Sequence, residues 1–102
     1  MNDEPLARFS FETRVIYWRG PSPFFYAPIP ELHVDELRQL ARIVTYGWGM
    51  VPVEVRLGRT SWRTSLFPKD GGYVLPLRDS VRSREQVELG DLVSIRLTIR
   101  QP

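Results

Sequence analysis

The chain has 102 residues, no cysteine, one histidine and a formal net charge of +2. That length implies one domain. The absence of thiols excludes disulfides, thiolate metal sites and a cysteine nucleophile, and fits a reducing cytoplasm. No apolar run reaches membrane-spanning length and the N-terminus lacks the order of a signal peptide, so a cytoplasmic protein without a membrane partner is expected.

Met1 to Ala7 is polar and reads as a frayed terminus, leaving residues 8–102 as the folded domain. Arg8 to Trp18 reads as one long strand with Phe9, Phe11, Thr13, Val15 and Tyr17 on one side. Arg19 to Pro23 is a loop by composition, and Phe24 to Ile29 is a second strand, short or at an edge between prolines. Glu31 to Val44 carries the apolar spacing of an amphipathic helix through Val34, Leu37, Leu40, Ala41 and Val44. Its acids come early and its arginines late, matching the helix dipole. Gly47 is placed to cap it.

Val51, Val53, Val55 and Leu57 alternate with Pro52, Glu54 and Arg56, then Gly58-Arg59 turns the chain into a strand over residues 60–67. Asp70-Gly71-Gly72 is another tight turn, followed by a strand at Tyr73–Leu75 that ends at Pro76. Residues 77–84 form a short helix, Gly90-Asp91 breaks the chain, and Val93, Ile95, Leu97 and Ile99 alternate with polar residues in a last strand. Hairpins around one full helix predict a mostly β domain of about six or seven strands, a barrel or sandwich.

Four segments carry a resemblance: WRGPSPFFYAPIP (18–30), TYGWGMVPVEV (45–55), TSLFPKDGGYVLPL (64–77) and VELGDLVSIRL (87–97). In order and spacing they resemble a small bacterial family catalogued as domain of unknown function nineteen-oh-five. The resemblance implies a small closed β barrel of the double-split type, alone or beside a YdeI/OmpD-associated domain. It supplies no catalytic residues. A second pattern, Gly72 to Pro76, Val81-Arg82 and Leu89 to Val93, is similar over about a third of the chain to the swapped hairpin of AbrB- and MazE-type DNA-binding proteins. It implies fold kinship, not function.

Chemistry is sparse. His33 reads as a helix residue, exposed or loosely packed, rather than a base or ligand. No phosphate loop, nucleophile elbow or calcium loop is present. No metal, cofactor or catalytic residue is therefore expected, and the chain reads as a non-enzymatic module.

Thirteen of the fourteen basic residues are arginine, and seven basic residues against two acids lie between Arg56 and Arg84. The guanidinium fork suits anion recognition. Trp18, Arg19, Tyr46, Trp48, Arg63 and Lys69 lie in or beside glycine- and proline-rich loops, and we expect them to converge on one cleft for a small anionic ligand. A partner protein is the companion possibility. The alternative is a nucleic-acid-binding protein using Arg56, Arg59, Arg63, Arg78, Arg82 and Arg84, against which the small net charge stands. An enzyme of unknown reaction is a third class. A monomer is expected ahead of a homodimer.

Overall fold

The computed structural model describes residues 4–20, 22–45 and 49–101. It contains seven strands: β1 (Ala7–Arg14), β2 (Ile16–Tyr17), β3 (Phe25–Pro28), β4 (Val51–Leu57), β5 (Thr60–Lys69), β6 (Gly72–Pro76) and β7 (Leu92–Ile99). Two helices accompany them, α1 (Val34–Val44), preceded by a 3-10 turn at Glu31–His33, and α2 (Asp79–Glu85).

All seven strands form one antiparallel sheet in the order β1-β7-β4-β5-β6-β3-β2. Its terminal strands, β1 and β2, are separated in the chain by Val15 alone. The sheet therefore curls back on itself, and the result is a barrel-like β fold. Among the described residues no ladder joins β1 to β2 or β3; the Thr13 Oγ1 hydroxyl crosses instead to the Pro28 carbonyl at 2.7 Å. The opening between β1 and β3 is covered by the start of the helical segment. His33 packs edge-on against Phe9 at 5.2 Å and near Phe11 at 5.8 Å, and Leu37 is fully buried in the core.

The period-two reading of β4 and β7 holds at every position. Val51, Val53, Val55 and Leu57 are buried, as are Val93, Ile95, Leu97 and Ile99. The ladders set Phe9 opposite Leu97, Leu97 opposite Val55 and Val55 opposite Trp62, so one row of apolar side chains runs across four strands. Burying such a face is the main source of stability.

The long first strand is two strands. At Val15 the backbone leaves the ladder: its N–H donates to the Asp91 carbonyl and its carbonyl accepts from the Gly90 N–H, both at 2.9 Å. The side chain stays inside while the chain turns, so Tyr17, expected on the inner side, is half exposed. β3 is short, as expected, but lies between β6 and β2. Asp70 and Gly71 have φ of 51° and 78°, so the β5–β6 hairpin turns on two left-handed residues, with Lys69 paired to Gly72. Leu6 and Ala7, read as part of the frayed terminus, both engage Ile99, Leu6 through an N–H···O bond of 2.7 Å. The predicted cap at Gly47 lies outside the described residues.

Candidate functional site

Of the residues expected to form one cleft, Trp18 and Lys69 do meet. The Lys69 Nζ lies 5.2 Å from the Trp18 ring centroid, within cation–π range. The indole rests on Gly20, where a Cβ would come within 2.8 Å of its carbons, and on Tyr26 at 5.1 Å. Burial raises the Tyr26 phenol above its ordinary pKa. The Lys69 ammonium is also paired with Asp70 at 2.6 Å. Arg19 is exposed. Arg63 sits on β5 six residues before Lys69, a separation of about 20 Å along a strand. Tyr46 and Trp48 lie outside the described residues. Within the described residues this cluster is therefore two side chains packed on each other above Tyr26, with the lysine already ion-paired.

The arginines of the alternative set go to three places. Arg82 is fixed: its Cζ lies 3.8 Å from the Phe25 ring centroid, its Nε donates to the Leu77 carbonyl at 3.2 Å, and it pairs with Asp79. Arg78 and Arg84 are exposed at the two ends of α2, and Arg59 is exposed at the β4–β5 turn. Arg56 and Arg63 face outward from the sheet.

Those two have company that the sequence did not point to. Residues of β1, β7, β4 and β5 that alternate with the core positions face outward, and the register aligns them in rows. One row is Ser10, Arg96, Arg56 and Ser61; the next is Arg8, Thr98, Glu54 and Arg63. Arg100 extends the second. A shallow concavity of about 580 Å³ lies over both rows.

Glu54 is the only acid in these rows. It accepts Arg100 Nε at 2.8 Å and lies 3.8 Å from Arg63 Nη2. Among the described residues no ion pair reaches Arg8, Arg56 or Arg96. Arg56 donates only through Nε, to the Gly58 carbonyl at 3.2 Å. Arg56 and Arg96 are directly opposite across β4 and β7. Like charges in that relation destabilise a sheet.

Rows on the outward face of these strands carry Arg8, Arg14, Arg56, Arg63 and Arg96, joined by Arg100 just past β7, against Glu12 and Glu54, a net of +4. The whole chain carries +2, so everything else sums to −2. Arg56 and Arg63 stood out in the sequence as part of a basic stretch, whereas Arg8, Arg14, Arg96 and Arg100 were visible only as polar positions of alternating strands or their ends. What joins Arg8, Arg56 and Arg96 is the pairing of segments up to about ninety residues apart, which no local pattern encodes.

No group of three or more metal-ligating side chains occurs among the described residues. His33 packs on phenyl rings and makes no side-chain hydrogen bond among them. No helix there is long and apolar enough to cross a membrane. Residues 11–97 match the model of one family, described as Domain of unknown function (DUF1905). No curated protein matches the chain.

Proposed function

The chain belongs to the DUF1905 family, which is defined without an activity, and from the geometry we propose that it is a non-enzymatic binding module for multivalent anions, acting through the outward face of β1, β7, β4 and β5. The observation that carries this is the Arg56–Arg96 cross-strand pair, which no carboxylate among the described residues neutralises. Two guanidinium groups held side by side on rigid strands cost stability when empty and gain charge-assisted hydrogen bonds when an anion sits between them. The reading keeps the expected ligand class, a small anion, and moves it from the loop cluster to the sheet. The Trp18–Lys69 cluster supports the loop site less well, because Asp70 already satisfies its lysine. The arginine set around α2 supports a nucleic-acid surface less well, because Arg82 is held by Phe25, Leu77 and Asp79.

Thermal unfolding with and without tripolyphosphate tests it. A ligand at about a hundred times its Kd adds roughly 2.7 kcal/mol to the folded state, which raises the Tm of a domain this size by about ten degrees or more. The double variant Arg56→Ser, Arg96→Ser should melt higher than the wild type in plain buffer and gain little from the ligand. A wild-type Tm unmoved by any multivalent anion at low salt sinks the proposal.

A further inference from the structure

We infer that the row Ser10–Arg96–Arg56–Ser61 is a phosphoryl-binding site, a reading that rests on the anion-binding face proposed above. The register places one residue from each of four consecutive strands in this row: Ser10 opposite Arg96, Arg96 opposite Arg56, Arg56 opposite Ser61. Directly opposed residues hold their Cβ atoms about 5 Å apart. Two guanidinium forks therefore stand at the centre with a hydroxyl on either side. All four residues line the same concavity.

The composition of the row selects the ligand. A carboxylate offers two coplanar oxygens, which a single fork can already engage bidentately. A terminal phosphoryl group offers three oxygens arranged as a tripod, which two forks and a flanking hydroxyl can engage together. Arg56 is partly preorganised for this, because its Nε is tied to the Gly58 carbonyl while its two Nη groups remain available. Arg8 and Arg63 line the same concavity from the adjacent row, where they can take a second negative charge. Neither row carries an outward aromatic, asparagine or glutamine, so the rows themselves lack a stacking aromatic platform for bases. The ligand class is a compact molecule or chain end bearing at least two linked phosphoryl groups.

Isothermal titration calorimetry of the wild type, Arg56→Lys with Arg96→Lys, and Ser10→Ala with Ser61→Ala distinguishes the possibilities. The lysine pair preserves charge and removes both forks. Pyrophosphate should bind the wild type at least about tenfold more tightly than charge-matched citrate. The lysine pair should lose roughly tenfold or more for pyrophosphate while changing citrate little, and the alanine pair about threefold or more. If pyrophosphate and citrate bind alike and both variants treat them alike, the phosphoryl row is wrong while the anion-binding face stands. If neither anion binds, both readings fail. A short DNA duplex supplies the other source of phosphate. Parallel losses of duplex and pyrophosphate binding in the lysine pair support the row and extend it to a polymer backbone. A duplex and pyrophosphate both bound equally by wild type and lysine pair overturn the row as the phosphate contact.

Discussion

Glu85 ties α2 to the β4–β5 hairpin. Its Oε2 accepts the Thr60 hydroxyl at 2.6 Å and the Arg59 N–H at 3.3 Å. Thr60 is the one buried polar residue among those described, and Glu85 satisfies it. Gly58 makes room for the carboxylate: a Cβ there would stand 1.9 Å from Oε1, at a φ of +60°. We expect Glu85→Ala to cost about 1–3 kcal/mol by stranding the Thr60 hydroxyl. Gly58→Ala should cost about 1–2 kcal/mol from the left-handed backbone, plus the expulsion of Glu85. Because the two share one contact, the double variant should be less destabilised than the two losses added, which a denaturant-unfolding cycle will measure. Tyr26 sets a pH limit. Its folded pKa lies above the ordinary value of 10.0 because the ring is buried. The folded state thus holds its proton where the unfolded state releases it. Stability is full below about pH 10 and falls as the pH rises from there through the folded value. Tyr26→Phe should flatten the alkaline limb of a stability–pH curve.

The strands show how much was readable in advance. β4 and β7 follow from alternation, because one face meets the core and the other meets water, and that difference is written into every second residue. The bend at Val15 does not, because its cause is a pair of backbone bonds to Gly90 and Asp91, far along the chain. Gln86 is similar. It takes the left-handed position that closes α2, with Val87 N–H returning to the Arg82 carbonyl and its own N–H to that of Ser83, where a sequence reading looks for glycine. The candidate site was legible one residue at a time and not as a site. Arg56 and Arg63 stood out in a basic stretch, whereas Arg8 and Arg96 looked like solvated positions until the ladder set them beside it. The same ladder carries a prediction. Arg96→Thr replaces a like-charge neighbour with a β-branched residue, so it should stabilise the sheet by about 0.2–1 kcal/mol in urea unfolding. A loss of stability would mean that Arg96 is held by favourable contacts in the empty protein.

Across the whole molecule, net charge conceals its own distribution. A chain of +2 contains a face of +4, so the small total does not by itself exclude polyanionic partners. The cations of this face are all arginine, the side chain that keeps its charge furthest into the alkaline range. The sequence pI is about 9.4. At pH 10 and low salt the protein should still be retained on a cation exchanger although its net charge is negative, and the Arg56→Ser, Arg96→Ser double variant should flow through. The sheet order has a consequence for synthesis. Among the described residues β1, the first strand of this domain, pairs in a ladder with β7, the domain's last strand, alone, and β7 is also the second neighbour of β4. While the chain is being translated, β1 can touch Pro28 and His33 but has no strand to pair with, and one edge of β4 lacks its ladder. The domain therefore cannot assemble piecemeal from its N-terminus; it waits for Ile99 to emerge, and until then Phe9, Phe11 and the valines of β4 are the surface a chaperone would meet.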